Sequence, residues 1–369
     1  MAKRRVIGFL IAATVATGAM PFVGSTVVQA RVVIKTRAAE VHATVVNEAA
    51  LALPFAADHV AVHWDGNPQA SVSIALSADG GATYGPASDV GRDEVGEHRG
   101  DGETYGAILP ARGATSARIA SDRPVGRLTV LALADSERVV EEERVPVSAG
   151  GAVAQPPIIS RAGWGADESL RFKGRKEVWP PAFYPVQKLI VHHTATANDD
   201  PNPPAAIRSI YYYHSITQRW GDIGYNFLVD AQGRIYKGRH SHMTAKSSPT
   251  ANDDTLTGEN AAGQTVTAGH SFGFNAGTIG VALLGTFTTQ LPSAPARSAL
   301  ERFLGWKAHG HGIDPEGQSV YVNPVNGAQA TFANIAGHRD VSATECPGDA
   351  LYPVLPEVRH NVALLIAGS

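Results

Sequence analysis

The stretch VQKLIVHH, from Val186 to His193, decides how the second half of this chain folds. Its apolar residues form a continuous run, which predicts a strand buried inside a sheet, and the run ends in two histidines. The segment that follows predicts a helix, because Asn202 can cap it, prolines occupy its first turn and Gly221 can end it. A buried strand followed by a helix is typical of an α/β domain.

The rest of this half continues to mix strands and helices. The stretch YNFLVDAQGRIYKG predicts a hairpin that turns near 231–233, and TIGVALLG predicts another buried strand. A second helix is predicted after Ser293, its expected cap, then a final strand in ATFANIAGH and a last helix through Val358, Val362 and Leu365. We therefore predict that residues 158–369 form an α/β domain with a mixed central β-sheet flanked by helices.

Residues 31–145 have a different texture. Stretches such as HVAVHW, SVSIALS and RLTVLALAD combine β-branched residues with period-two alternation, and ADGGATYGP is typical of a turn. Short strands at regular spacing, with almost no helical period, predict an all-β sandwich or jelly-roll-like accessory domain. The small residues, glycines and prolines of 146–157 predict a linker between the two domains.

Residues 1–30 predict a cleavable secretory signal, because Lys3, Arg4 and Arg5 precede an apolar run that ends in small residues. Glycines and a proline make that run short for a spanning helix, and no second run of spanning length follows. We therefore expect a protein that is secreted or at the cell wall, without stable membrane insertion. Loss of the three basic residues changes the formal net charge from −3 to −6, so no basic surface for nucleic acid is expected.

The one cysteine of the chain, Cys346, rules out an intramolecular disulfide. Strand alternation lets only one of His192 and His193 point to a given face, and His338 stands at the end of another predicted strand. Two such histidines and a thiolate make three ligands and leave a fourth tetrahedral position open, as in catalytic zinc sites. The alternative is coincidence, because the chain has fourteen histidines, and spacing alone leaves both interpretations open.

Six segments in the second half occur in a recognisable order: ISRAGWGA, IVHHTAT, WGDIGYNFLVD, GRIYKGR, GFNAGTIGVALLG and GHRDVSATECPG. They resemble the family of peptidoglycan recognition proteins and type-2 N-acetylmuramoyl-L-alanine amidases, which includes the phage T7 lysozyme type. The resemblance spans roughly 158–365 and implies a mixed sheet with surrounding helices. It also implies a Zn²⁺-dependent hydrolase of the amide bond between N-acetylmuramic acid and L-alanine of the peptidoglycan stem peptide.

The resemblance assigns roles where the motifs match this sequence. The implied metal ligands are His192, His338 and Cys346. It implies catalytic roles for Tyr225, in GYNF, and for Thr344, just before the cysteine. The retained cysteine favours an active enzyme, because family members that bind without cutting have often lost it.

Other residues are assigned with alternatives. The resemblance implies that His270 lines the substrate groove. Arg339 carries a guanidinium suited to a stem-peptide carboxylate, with a plain surface role equally open. His193 and His214 are each expected in the core or beside a metal ligand.

The segment 240–268 is longer than the family pattern suggests and is rich in glycine, asparagine and threonine. It predicts a surface loop or lid, in which His240 and His242 are expected to be solvated, with a further metal or substrate contact as the alternative.

Two alternatives to a zinc amidase stay open from the sequence. One is a non-catalytic peptidoglycan binder with a structural zinc, and the other is a cell-wall adhesin driven by the β domain. The intact ligand set and Tyr225 favour the enzyme. We expect peptidoglycan to be its partner and the chain to act as a monomer.

Overall fold

The computed structural model describes residues 26–45, 47–92, 102–146, 153–198, 200–242 and 254–369. Positions 1–25 of the predicted secretory signal lie outside the described residues, and its positions 26–30 belong to the first strand. Within the described ranges, no helix combines the length and apolar character needed to cross a bilayer.

The N-terminal part of the chain is a sheet of six strands. They are β1 (Thr26–Thr44), β2 (Glu48–Asp65), β3 (Val72–Ser77), β4 (Ser88–Asp89), β5 (Glu103–Ser121) and β6 (Arg127–Pro146). The sheet is antiparallel, in the order β1-β6-β2-β5-β3-β4. Strands β1, β2, β5 and β6 are 18 to 20 residues long, so the short strands predicted from the sequence are mostly pieces of longer ones.

The described part of this region forms one sheet, whereas the sequence predicts a sandwich or jelly roll. The pairing register shifts once in β1 and three times in β2. Such bulges bend a strand and increase its twist, which allows a single sheet to curve around its own core. Val62, Trp64, Ile119 and Val130 are among the fully or almost fully buried residues of that core.

The C-terminal part contains three helices and twelve short strands among the described residues. The helices are α1 (Pro203–Tyr212), α2 (Ala294–Gly310) and α3 (Leu355–Ala367). The strands are β7 (Ile158–Ile159), β8 (Phe172–Lys173), β9 (Lys176–Glu177), β10 (Phe183–Tyr184), β11 (Lys188–His193), β12 (Phe227–Val229), β13 (Ile235–Lys237), β14 (Thr265–Val266), β15 (Thr278–Leu283), β16 (Gln318–Val322), β17 (Gln329–Ala333) and β18 (Ile335–Gly337).

Six of these strands form the predicted mixed sheet, in the order β18-β11-β15-β12-β13-β7. Strands β18, β11, β15 and β12 are mutually parallel, and β13 turns back antiparallel to β12. The buried residues of α2 and α3 pack with the sheet in one apolar core, which includes Leu189, Phe227, Val281, Phe303 and Val358. The mixed α/β architecture predicted for this half is therefore what the described residues form.

Local signals account for the helix ends. The side chain of Asn202 accepts a hydrogen bond from the backbone N–H of Ala205, and that of Ser293 accepts one from Ala296, as the capping argument predicts. Helix α1 continues into one π-helical turn, Tyr213–Thr217, before the chain reverses at Gly221, whose φ is 84°. Glycine adopts such a conformation without strain, which explains the predicted stop.

The predicted final strand ATFANIAGH is two strands. Strand β17 pairs with β16 in a separate hairpin, whereas β18 lies beside β11 in the central sheet. Asn334 separates them, because its Oδ1 accepts a hydrogen bond from Lys188 Nζ (2.8 Å) and its Nδ2 donates to the carbonyl of Asp314 (2.9 Å). His338 nevertheless follows a strand of the central sheet, as predicted.

The two halves pack against each other through α1. Ile207, Ile210 and Tyr213 share an apolar cluster with Ala61, Tyr105, Ile108 and Leu133 of the N-terminal sheet. An ion pair and a hydrogen bond border this cluster: the Arg208 guanidinium binds both carboxylate oxygens of Asp135, and His59 Nε2 lies 2.8 Å from Asp200 Oδ2. The N-terminal sheet is therefore in contact with the helix that follows the two histidines of β11.

Candidate metal centre

Parallel strands bring the predicted histidines to one edge of the central sheet. His192 lies near the carboxyl end of β11, and His338 directly follows Gly337, the last residue of β18. Val191 pairs with Gly337 in parallel register, so the next residue of each strand reaches the same edge. The two imidazole rings lie with centroids 4.5 Å apart, and both side chains are buried.

Cys346 reaches this edge from the loop that follows β18. Its Sγ lies 3.6 Å from Nδ1 of His192 and accepts a hydrogen bond from the backbone N–H of His193 at 3.3 Å. The backbone N–H of Cys346 donates to Oγ1 of Thr344, which bends the loop so that the sulfur faces the strand ends. The thiol of Cys346 is buried.

His192, His338 and Cys346 each place one ligand atom within 4.8 Å of the other two. Among the described residues, these three side chains form the cluster of histidine, cysteine or carboxylate groups that could hold a metal ion. Zn–S and Zn–N bonds of about 2.3 and 2.05 Å at a tetrahedral angle place the two donor atoms about 3.6 Å apart. The observed separation between Cys346 Sγ and His192 Nδ1 is 3.6 Å. The donor set and the spacing between these two donor atoms therefore fit zinc.

A chain of hydrogen bonds behind His192 determines which of its nitrogens is available. The hydroxyl of Thr278 donates its hydrogen to the carbonyl of Phe274 (2.5 Å), because a carbonyl oxygen can only accept. Oγ1 of Thr278 must therefore act as the acceptor for His270, whose Nε2–H donates to it at 3.2 Å. Nδ1 of His270 then carries the lone pair that accepts Nε2–H of His192 at 3.0 Å. The lone pair of His192 is consequently on Nδ1, the nitrogen beside the cysteine sulfur.

The packing around His270 is tight. A Cβ at Gly280, on β15, would lie 2.3 Å from Cγ of His270, so only glycine leaves space for this ring. Burial lowers the pKa of His270 to about 3. Burial also lowers the pKa of His192 well below its usual value, and the neighbouring His338 and His270 lower it further. Both imidazoles are therefore neutral at physiological pH, which is the form that binds a metal.

Replacing His270 with alanine is expected to weaken zinc binding by about 10- to 100-fold, because the partner that orients a ligand histidine is lost. Zinc affinity can be measured by competition with a chromophoric chelator, using the exposed His309→Ala as the matched control. Equal affinities for wild type and His270→Ala would contradict the role of the hydrogen-bond chain, whereas the control is expected to bind zinc like wild type.

Residues 182–349 match the family model described as N-acetylmuramoyl-L-alanine amidase. Over that range, somewhat less than half of the chain, the sequence is similar to that amidase family. The C-terminal part that contains the match is called the amidase domain below. The resemblance predicted from the six ordered motifs is thereby confirmed, and the three candidate ligands all fall inside the matched range.

The amidase domain has relatives of two kinds. Human N-acetylmuramoyl-L-alanine amidase is 30% identical over 216 residues, which are 56% of this chain and 29% of that protein. Peptidoglycan recognition protein 1 of Bos taurus is 27% identical over 206 residues, 55% of this chain and 84% of that protein. The solved structure of human PGRP-IBETAC in complex with glycosamyl muramyl pentapeptide is 25% identical, covers 55% of this chain and 95% of its own, and has a TM-score of 0.38. The chain spans less than a third of the human amidase's length.

Tyr225 of the amidase domain lies beside the candidate metal ligands. Its ring centroid is 5.8 Å from that of His192, and its side chain is almost fully buried. His214 packs against this tyrosine, with ring centroids 5.9 Å apart, while its Nδ1 accepts a hydrogen bond from the backbone N–H of Gly224. His214 is thus a buried, hydrogen-bonded residue that supports Tyr225, in keeping with the first of its two expected roles.

His193 points away from the three ligand atoms, as strand alternation predicts. Its Nδ1 accepts a hydrogen bond from the backbone N–H of Phe287 at 3.3 Å, so it connects β11 to the segment after β15. Its backbone N–H contacts the cysteine sulfur, so the residue also helps to place Cys346.

Both predicted substrate-binding residues make their contacts within the protein itself. His270 is fully buried behind His192 and does not line a groove surface. The Arg339 guanidinium is occupied within its own loop, because it pairs with Asp349 at 2.8 Å and donates to the carbonyls of Glu345 and Cys346. Its position indicates that it holds the loop that carries the cysteine.

Residues 243–253 of the predicted surface loop at 240–268 lie outside the described ranges, and residues 261–263 are exposed, as that prediction expects. The expectation that His240 is solvated is corrected. His240 is buried, and burial lowers its pKa to about 4 although nearby Asp254 opposes the shift. Glu259 accepts from both Lys307 and His311 of the α2 end, so this segment is fixed to the helix.

A buried charge network next to the site was missed from the sequence. Asp222 accepts hydrogen bonds from the guanidinium groups of Arg161 (3.0 Å) and Arg239 (2.6 Å), and the backbone N–H of Arg239 donates to the carbonyl of Tyr225. The network therefore braces the segment that carries the tyrosine. The available signal was the presence of charged residues inside apolar motifs, as in WGDIGYNF and ISRAGWGA.

Proposed function

We propose that this protein is a secreted, zinc-dependent N-acetylmuramoyl-L-alanine amidase, which hydrolyses the amide bond between N-acetylmuramic acid and L-alanine of the peptidoglycan stem peptide. The observation that carries the proposal is the His192–His338–Cys346 donor set, whose spacing fits tetrahedral zinc and leaves a ligand position for chemistry. The match of residues 182–349 to the amidase family model supports the choice of this amide over others.

The donor set suits hydrolysis. Two neutral imidazoles and one thiolate leave a bound Zn²⁺ with a net positive charge. When bound there, zinc supplies Lewis-acid polarisation of the scissile carbonyl and lowers the pKa of a water molecule towards about 7. The hydrogen-bond chain through His270 and Thr278 keeps His192 in the tautomer that this arrangement requires.

Tyr225 is the residue placed to stabilise the negative charge that develops on the carbonyl oxygen. Its phenol carries an O–H group, which can donate a hydrogen bond to that oxygen. The burial of its ring beside His192 keeps water from competing for the same interaction. We assign it the role of an oxyanion donor.

Thr344 lies in the loop beside the cysteine ligand. Its Oγ1 accepts the backbone N–H of Cys346 at 3.2 Å, which fixes the side chain next to the cysteine ligand. A threonine hydroxyl is neither a strong acid nor a strong base at neutral pH. We therefore assign it hydrogen bonding to substrate and not proton abstraction.

Replacing Tyr225 with phenylalanine is expected to lower kcat by about 10²- to 10³-fold, the usual cost of one oxyanion donor. Zinc affinity is expected to stay unchanged, because the phenol is not in the donor set. The measurement is the rate of stem-peptide release, with zinc content determined in parallel, and Tyr184→Phe on β10 serves as the control. An unchanged kcat in Tyr225→Phe would remove the tyrosine from the mechanism.

The proposed function itself is tested on purified, glycan-intact peptidoglycan. We expect wild-type protein with zinc to release free stem peptides that begin with L-alanine, identified by mass spectrometry, while the glycan strands stay uncut. Binding to peptidoglycan without any release would instead support the non-catalytic recognition protein.

A further inference from the structure

Two cavities lie where the N-terminal sheet meets the loop that carries Cys346. The larger, of about 600 Å³, is lined by Asp89, Arg92 and Thr344 among others. The second, of about 470 Å³, extends past Arg92 and Glu345 to His193, Asn198 and Thr286. Both are therefore bounded on one side by the N-terminal sheet and on the other by neighbours of the candidate metal ligands.

The wall on the side of the N-terminal sheet is a short segment, Asp89 to Arg92, which begins with the last residue of β4. Its backbone is well fixed, because Val90 N–H donates to the carbonyl of Val72 and Ala107 N–H donates to that of Gly91. Arg92 also forms an isolated backbone bridge with Gly106 of β5. The segment is therefore part of the sheet framework and holds its side chains in place.

The neighbouring route towards Tyr225 is closed by the same sheet. Ala107 and Ile108 of β5 cover Ile210, Tyr213 and Tyr225, and the gap between them is only about 10 Å³. The ring of Tyr105 meets that of Tyr213 edge-on, with centroids 6.0 Å apart. The described residues therefore leave only a small gap between α1 and β5, whereas the larger cavities beside Arg92 border the loop that carries Cys346.

The charged side chains that face these cavities come from both halves of the molecule: Asp89 and Arg92 from the N-terminal sheet, and Glu345 from the amidase domain. Within the described residues, the carboxylates and the guanidinium of these three form no ion pair or side-chain hydrogen bond. An arginine with an uncommitted guanidinium can bind a carboxylate through two parallel hydrogen bonds. The pair of carboxylates on either side is suited to an ammonium group.

We propose that Asp89–Arg92 is the second wall of the substrate cleft, where Arg92 binds a carboxylate of the stem peptide while Asp89 and Glu345 face its amine. This rests on the proposed amidase function and extends it, because it makes the N-terminal sheet a determinant of substrate choice. The ligand chemistry is a peptide that carries both a free carboxylate and a free amine. Arg92 then acts on substrate binding and not on the chemical step.

The test is Arg92→Gln in the full-length protein, assayed on a soluble muropeptide with free carboxylates. We expect KM to rise about tenfold with kcat changed less than about twofold, because a charge-assisted contact outside the reacting atoms is lost. The matched control is Arg123→Gln, an exposed arginine of the same region that pairs with Asp122 and does not line the cavities. A muropeptide with amidated carboxylates is expected to abolish the difference between wild type and Arg92→Gln.

An unchanged KM in Arg92→Gln, or a rise equal to that of the Arg123 control, would overturn the proposal while leaving the amidase intact. Calorimetric measurement of the affinity for the same muropeptide distinguishes failure of the cleft proposal from failure of the proposed amidase function. If wild type binds without cleaving, and Arg92→Gln binds about tenfold more weakly, the cleft assignment holds and the amidase assignment fails. Equal binding by both proteins would reject the cleft.

Discussion

Replacing Cys346 with serine is expected to abolish zinc-dependent hydrolysis. The substitution exchanges a soft thiolate for a hydroxyl that stays protonated at neutral pH, so one of three protein ligands is lost. Removing a residue that hydrogen-bonds to a metal ligand lowers metal affinity by about 10- to 100-fold. Removing the ligand itself is expected to lower the affinity by more than that. Rates of stem-peptide release and the zinc content of the same samples measure both effects.

The matched control is Ser342→Ala, which changes a hydroxyl in the same loop without touching a ligand atom. It is expected to retain wild-type zinc content and rate. Because Cys346 is the only cysteine, a thiol reagent provides an independent readout: zinc should protect wild-type protein from labelling. Undiminished hydrolysis by Cys346→Ser, or labelling that zinc does not affect, would contradict the donor set.

Replacing Asp222 with asparagine is expected to lower the free energy of unfolding by about 3–5 kcal/mol, since it breaks a buried ion network by removing one partner. Asp222 is fully buried and accepts from Arg161, Arg239 and two backbone N–H groups. Arg171 pairs with Glu168 and Glu177, and Arg161 also pairs with Glu168. Removing the Asp222 carboxylate takes away the partner of Arg239, so the buried charge of that guanidinium is no longer compensated.

Urea denaturation of the zinc-free protein measures this effect without interference from metal binding. Glu316→Gln is the control, because Glu316 and its hydrogen-bond partner His360 are both more than half exposed, and a change within about 0.5 kcal/mol is expected. A loss for Asp222→Asn no larger than that of the control would show that the network contributes little to stability.

The acid side of the stability profile reports on the same network. Burial opposes ionisation of Glu168, but the guanidinium groups of Arg161 and Arg171 lower its pKa to about 2, from 4.5. Because the folded-state pKa is the lower one, the stabilisation is complete above about pH 4.5 and is lost as the pH falls towards 2.

Much of the amidase domain was predictable because its signals are local. The apolar run from Lys188 to His193 is a strand at the predicted place, and the caps at Asn202 and Ser293 form the expected hydrogen bonds. The candidate ligands could be named because ordered motifs identify the family. The structure adds that parallel pairing of β11 and β18 brings two of them to one sheet edge.

The contacts that could not be predicted join residues far apart in sequence. His270 lies 78 positions from His192, and no spacing rule indicates that its ring accepts a hydrogen bond from a ligand. Arg339 carries a guanidinium that could bind substrate, but its loop offers nearer acceptors in Asp349 and the backbone. The curvature of the N-terminal sheet depends on bulges in long strands, which period-two alternation does not reveal.

The most direct test of the central claim is release of L-alanine-terminated stem peptides from purified peptidoglycan by full-length protein, before and after removal of metal by a chelator. The account predicts release with zinc, loss of release after chelation, and recovery when stoichiometric zinc is restored. Release that persists after the protein is shown to be metal-free, or no release from fully zinc-loaded protein, would contradict it.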